Sequence, residues 1–173
     1  MNRTTINLLL TYLILVPAQA LVFNNLVLFD VAVPMVFIFL IITLPVTFST
    51  NKVMTIGFFT GLTVDILSDT PGVNALSCTL MSFVHHPIFH LYVPVDNDLA
   101  EQRPSILNMG APAFLKFALT MVTLYCLLYF SIEAVGFFNL RLYLLRIVAS
   151  AIYTFILIYA LACITVSRRE KRL

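Results

Sequence analysis

Long apolar runs separated by short polar stretches dominate the chain. Six runs are long enough, or nearly long enough, to cross a bilayer as helices, since a crossing takes about 20 apolar residues. They cover residues 5–23, 31–48, 53–67, 73–92, 112–132 and 140–166. The pattern therefore predicts an all-α membrane protein with about six transmembrane helices, in which residues 1–173 form a single integral membrane domain.

Prolines and run lengths qualify this arrangement. Pro34 and Pro112 lie near the starts of the second and fifth runs, where a proline is tolerated because first-turn amides have no helical partner. Pro45 lies near the end of the second run and predicts a kink or an early stop there. The third run, at about 15 residues, would cover only about 22 Å. A five-span or re-entrant arrangement is therefore an alternative to six spans.

Composition agrees with the apolar pattern. The chain is 61% hydrophobic and 10% charged, whereas a soluble domain averages about 45–50% and about 25%. Its mean hydropathy is +1.00, more apolar surface than a soluble fold of this size could bury. The net charge of +2 does not suggest a nucleic-acid partner. The lipid bilayer is the expected environment.

The first run also resembles a signal peptide. Arg3 precedes the apolar stretch INLLLTYLILV, and residues 17–20 read PAQA, which matches an A-x-A cleavage site. The apolar stretch continues through residues 21–23, however, which makes it long enough to span. We interpret it as an uncleaved first helix, with cleavage as the alternative.

Charges near the span ends predict the orientation. With six spans, both termini lie on one side, together with Arg3, Lys52, Arg103, Lys116 and the basic tail at residues 168–172. The opposite side carries Asp30, Asp69, Glu133, Arg141 and Arg146. The excess of Lys and Arg places both termini in the cytoplasm. The longest loop, residues 93–111, is too short to form a soluble domain.

Histidines and cysteines offer little chemistry. His86 and His90 have a spacing that suits a metal, but no Glu completes a zincin motif and Pro87 is expected to interrupt the helix. We expect them, with His85, to pack at the cytoplasmic interface. The three cysteines are expected to be small hydrophobic residues among helices: Cys78, Cys126 and Cys163. No P-loop or nucleophile elbow is present, so we predict no enzyme, no cofactor and no metal site.

The stretch GFFTGLTVDILSDTPG, residues 57–72, combines small residues with an acid. Gly57, Gly61 and Asp65 are four residues apart and share one face of a helix, which lets another backbone approach closely. A carboxylate within a span relays protons, contacts a substrate, pairs with a base, or lies hydrated near the interface. The position of Asp65 near the outer end favours hydration, and pairing with Arg146 is the next interpretation.

The longer run GFFTGLTVDILSDTPGVNALSCTLMSFV resembles the central signature of the rod shape-determining MreD family. The matching positions are Gly61-Leu62, Asp65, Gly72 and Ala75-Leu76. The motif covers residues 57–84, and the layout of the apolar runs is also similar. The loop sequence VPVDNDLAEQRPSILNMG departs from the family pattern.

This resemblance implies a non-enzymatic scaffold of the cell-elongation machinery in the bacterial inner membrane. Its partner would be an MreC-like bitopic membrane protein, with MreB filaments and peptidoglycan synthases as indirect partners. The resemblance also implies the fold of the substrate-binding subunits of energy-coupling-factor transporters. The candidate interaction or structural residues are Gly57, Gly61, Asp65, Gly72 and Arg146, and we expect Leu at Gly57 or Gly61 to weaken partner binding.

A small-molecule-binding subunit of a membrane transporter is the alternative function. It predicts a cavity open on the outer side and lined by Asp65, aromatic residues and the turn at residues 68–72. A tightly filled interior would count against it.

Overall fold

A computed structural model describes residues 3–23, 26, 32–93, 103–133 and 140–170. The regular elements are all helical, which confirms the predicted all-α class. They are α1 (Arg3–Leu21), a 3-10 turn (Val36–Ile38) leading into α2 (Phe39–Ile42), α3 (Thr50–Ser68), α4 (Val73–Tyr92), α5 (Ile106–Met109), α6 (Ala111–Glu133) and α7 (Leu140–Glu170). Asp30, residues 94–102 of the predicted loop and the last residues of the basic tail lie outside the described residues.

Five of the six predicted runs form long helices. Pro112 is the second residue of α6, as predicted. The third run is longer than expected, because the polar residues at positions 50–52 also join the helix: α3 has 19 residues and covers about 28 Å. The helix α4 continues through Pro87, so the predicted interruption there is wrong.

Two of these helices are long and apolar enough, by length and composition, to cross a membrane. They are Ala111–Glu133 and Arg141–Thr165, and Leu8–Leu21 is a shorter apolar helix. These two helices support an association of the protein with a membrane. Large apolar side chains are also exposed on each of the five long helices, for example Leu13, Phe59, Phe83, Leu127 and Ile152.

The second predicted run is not a long helix. Residues 32–49, here called the buried segment, contain only the 3-10 turn and the single turn of α2 between irregular stretches. Every residue from Met35 to Ile42 is at most 7% exposed. Pro34 therefore does not begin a spanning helix, and the expectation of a helix over residues 31–48 is wrong.

The buried segment lies in the centre of the helix bundle. Its large side chains belong to the same apolar cluster as residues of α1, α4, α6 and α7, among them Val16, Met81, Phe117 and Ile158. The ring of Phe37 packs edge-on against Tyr125 of α6, with 5.8 Å between the centroids. The interior of the bundle is thus filled by this segment.

Hydrogen bonds also show the direction of the buried segment. Its first residues bond to Gln19, near the end of α1, and its later residues bond to His85 and His86, in the second half of α4. Because α3 and α4 form a hairpin, the second half of α4 lies beside the first half of α3. The segment therefore runs through the bundle toward the start of α3.

Candidate functional site: the Asp65 network and the buried segment

The glycine stripe of α3 packs against α4 of the same chain. A Cβ atom added at Gly61 would lie 2.5 Å from the carbonyl oxygen of Asn74 and 2.6 Å from the Cα of Ala75. One added at Gly57 would lie 2.9 Å from the carbonyl oxygen of Cys78 and would overlap the hydroxyl of Ser82. Only glycine permits this approach of the two backbones. The prediction that the stripe meets another protein is therefore wrong for Gly57 and Gly61, since α4 already occupies it.

The turn between α3 and α4 is as short as predicted. Asp69 ends α3 in the left-handed conformation with φ of 54°, and its backbone N–H donates to the Asp65 carbonyl. Gly72 begins α4 with φ of 77°. A β-carbon at Gly72 would meet no atom within 4 Å, so the reason for glycine there is the backbone conformation alone. These two residues reverse the chain within four positions.

Asp65 caps the start of α4. Its Oδ1 accepts hydrogen bonds from the Thr70 hydroxyl (2.5 Å), the Asn74 backbone N–H (3.1 Å) and the Asn74 side-chain amide (2.9 Å), and its Oδ2 accepts one from the Ala75 N–H (2.8 Å). The first amides of a helix have no helical acceptor, and the helix dipole favours an anion beside them. The carboxylate thus performs for α4 the role of an N-cap, although it belongs to the preceding helix.

The network continues into α6. The hydroxyl of Tyr125 donates to the side-chain oxygen of Asn74 at 2.6 Å, and both residues are buried. Asn74 thus joins the carboxylate of α3 to the phenol of α6. Hydrogen bonds of the Asp65, Asn74 and Tyr125 side chains thus connect three helices at this end of the bundle.

Two expectations about Asp65 are wrong. The side chain is only 3% exposed, so it is not hydrated at an interface. Arg146 is exposed on α7, and these two described residues form no ion pair. Four donors from residues 70–75 already satisfy the carboxylate, which explains why it needs no arginine.

An open groove of about 470 Å³ lies beside this network. It is lined by Leu62, Asp65, Ile66 and the turn at residues 69–72. The lining is mostly apolar, and Asp69 provides an exposed carboxylate. The groove coincides with part of the cavity that the transporter alternative predicts, although no aromatic residue lines it.

Side chains from α1 and α7 satisfy the backbone of the buried segment. Gln19 donates to the Pro34 carbonyl (2.7 Å) and accepts from the N–H groups of Val36 (2.8 Å) and Phe37 (3.4 Å). From α7, the hydroxyl of Ser150 accepts from Val33 N–H, and that of Thr154 accepts from Met35 N–H, each at 3.0 Å. These bonds replace those that a continuous helix would have made internally.

Histidines of α4 bind the second half of the buried segment. The Nε2 atom of His85 lies 3.5 Å from the Ile42 carbonyl oxygen, and that of His86 lies 3.0 Å from the Val46 carbonyl oxygen. His85 is fully buried and packs edge-on against Phe117 of α6. Its predicted position at the interface is therefore wrong, whereas His90 is exposed.

Sequence reasoning missed the residues that hold the buried segment. In the sequence, Gln19 is part of a motif that resembles a cleavage site, and neither Ser150 nor Thr154 belongs to a recognisable motif. The sequence signal that could have found them is the presence of polar residues within apolar helices: Gln19 in the first run and Ser150 and Thr154 in the last. Such residues need hydrogen-bond partners when they are buried. Of the cysteines, Cys78 and Cys126 are buried as expected and Cys163 is exposed.

Comparison of the chain with protein-family models, with curated proteins and with solved structures finds no match. The resemblance to the MreD family therefore depends on the motif at residues 57–84. In the structure, the matching residues Gly61, Asp65, Gly72 and Ala75 all lie at the joint between α3 and α4.

Proposed function

We propose that this protein is a non-enzymatic, multi-pass scaffold of the bacterial inner membrane that serves the cell-elongation complex. The observation that carries the proposal is the distribution of apolar side chains. Large apolar residues cover the outside of all five long helices, while the interior is filled by the buried segment. Such a body offers helix faces to lipid and to other membrane proteins.

The course of the buried segment supports six passes through the bilayer. It runs from the end of α1 toward the start of α3, so it crosses the bundle between two helices. Non-helical backbone is tolerated at membrane depth where protein surrounds it and satisfies its polar groups. With this segment as the second pass, both termini lie in the cytoplasm, in agreement with the distribution of Lys and Arg.

The residues that resemble the MreD family support the choice of machinery. Gly61, Asp65, Gly72 and Ala75 form one structural unit, in which close packing, a left-handed turn and a carboxylate cap depend on each other. Such a unit explains why these residue types would occur together. The expected partner is an MreC-like bitopic membrane protein, through which MreB filaments and peptidoglycan synthases are indirect partners.

A photo-crosslinking scan in native membranes tests this function. One exposed position on each long helix receives a photoreactive residue: Leu13, Phe59, Phe83, Leu127 and Ile152. A partner that docks on one side should crosslink from one or two neighbouring helices and not from the others. Buried Met81 is the matched control, from which no partner should be captured.

The identity of the captured protein decides the outcome. Recovery of an MreC-like bitopic protein, identified by mass spectrometry, supports the proposal. Lipid adducts alone from all five positions, in cells that make the elongation machinery, would refute a scaffold role.

A transporter subunit is the second candidate function: the groove beside Asp65 favours it, whereas the filled interior of the bundle counts against it. The groove is open and includes the turn at residues 69–72, as that function predicts. Native mass spectrometry of the purified protein distinguishes the two functions. A small molecule that is retained by the wild type and lost in Ile66→Trp, which would obstruct the groove, supports the transporter function.

A further inference from the structure

Three buried polar atoms on one face of α4 have no hydrogen-bond partner within the part of the chain that the structure describes. They are Ser82 Oγ, His85 Nδ1 and His86 Nδ1. Residues three and four positions apart are neighbours on a helix surface, and the two imidazole rings are 5.5 Å apart between centroids. Buried polar groups in proteins are nearly always paired, with protein or with ordered water. Three unpaired atoms within one turn therefore indicate a ligand.

The protonation of the rings defines the chemistry of that ligand. A carbonyl oxygen only accepts hydrogen bonds, so the Nε2 atoms that face Ile42 and Val46 carry the protons. In a neutral ring the Nδ1 atom is then an acceptor. The Ser82 hydroxyl can donate and accept. Two Nδ1 acceptors of neutral rings and one hydroxyl suit a small neutral hydrogen-bond donor.

We infer that α4 binds internal water at Ser82, His85 and His86, between α3, α4 and the buried segment. Internal water typically makes about three hydrogen bonds to groups that would otherwise be unpaired, and these three atoms provide that number. The hydration site involves the two histidines that hold the segment, whose tautomers are set by the carbonyl oxygens of Ile42 and Val46. It is independent of the proposed scaffold function.

Nitrogen NMR of the full chain in detergent, labelled with ¹⁵N-histidine, tests this inference. Both His85 and His86 should be Nε2–H tautomers, and both Nδ1 signals should show the shift of a hydrogen-bonded acceptor. Nδ1 signals of free, unbonded nitrogen would overturn the inference. Added Zn²⁺ should leave the signals unchanged, and displacement of both Nδ1 signals by Zn²⁺ would overturn it in favour of a metal site.

Two serine variants provide a matched comparison. Ser77 is also buried on α4 with an unpaired hydroxyl, but Leu80 and Met81 occupy the positions where histidines follow Ser82. We expect Ser82→Ala to lower the midpoint of thermal unfolding by about 2–4 °C and to shift the Nδ1 signals. Ser77→Ala should leave the midpoint unchanged or raise it. Equal responses of the two variants would overturn the inference, and the wild-type NMR spectrum decides if Ser82→Ala does not fold.

Discussion

The α3–α4 hairpin and the buried segment solve the same problem in different ways. Both consist largely of apolar sequence, and both must pair their backbone polar groups. The hairpin uses two regular helices, so nearly all its backbone bonds are local, and one carboxylate accepts from the first-turn amides of Asn74 and Ala75, which have no helical acceptor. The buried segment has little helix and obtains its partners from α1, α4 and α7.

This difference teaches where each region is vulnerable. The hairpin depends on shape, because the two backbones touch at Gly57 and Gly61. The segment depends on chemistry, because removal of a distant polar side chain leaves a buried amide or carbonyl unpaired. Overpacking should therefore damage the hairpin most, and polar-to-apolar changes should damage the segment most.

The largest effect is expected from Gly61→Leu. The new side chain would collide with the backbone of Asn74 and Ala75, which cannot move without opening the hairpin. We expect a loss of about 3 kcal/mol or more in the free energy of unfolding, measured by denaturation in detergent. Thr55→Leu, an exposed position on the same helix, is the matched control. A comparable result for both variants would show that the hairpin is not closely packed.

A smaller loss in the free energy of unfolding is expected from Gln19→Leu, which tests the buried segment. Three backbone groups of the buried segment would lose their partner, at a cost of about 2–4 kcal/mol. Hydrogen exchange should accelerate at Val36 and Phe37 and stay unchanged in α3. Leu13→Ala, exposed on α1, controls for general effects on that helix. Uniform acceleration across the bundle would contradict a local role for Gln19.

Removal of the carboxylate cap should cause the next largest loss in the free energy of unfolding. Asp65→Ala deprives the start of α4 of its acceptor and is expected to cost about 2–3 kcal/mol. Arg146→Gln should have little effect on the same unfolding measurement, because Arg146 is exposed. Exchange of the two residues should therefore not restore stability, and a rescue by the exchange would reinstate the ion pair.

The smallest effect is expected from Tyr125→Phe. This variant keeps the ring that packs on Phe37 and removes only the hydrogen bond to Asn74, so the cost should be about 1 kcal/mol. Tyr153→Phe, at a half-buried position of α7, serves as the reference in the same assay. If the loss equals that for Asp65→Ala, the tyrosine hydrogen bond contributes as much to the network as the carboxylate does.

The hairpin could be predicted from sequence because its signals are local. Two glycines four residues apart, an acid on the same face and a turn ending in Gly72 all act within 20 residues. They correctly located the joint between α3 and α4 and the reversal of the chain. They could not show which surface the glycines meet, since close approach is equally suited to a helix of the same chain or of another.

The fate of the second apolar run was decided only by the tertiary structure. Hydropathy alone cannot separate a spanning helix from an irregular stretch that is buried within protein, because both avoid water. The run can leave the helical conformation only where other side chains replace the lost backbone bonds. Those side chains are remote in sequence: Ser150 and Thr154 pair with residues 117 and 119 positions away.

The sequence by itself thus determined the helical class, the apolar character of the chain and the local design of the α3–α4 joint. Tertiary structure alone decided that the second run fills the bundle, that Asp65 caps α4 and does not pair with Arg146, and that His85 is an interior residue. The physical reason is the same in each case. Local backbone geometry is encoded by neighbouring residues, whereas the partner of a buried polar group depends on which helices the fold brings together.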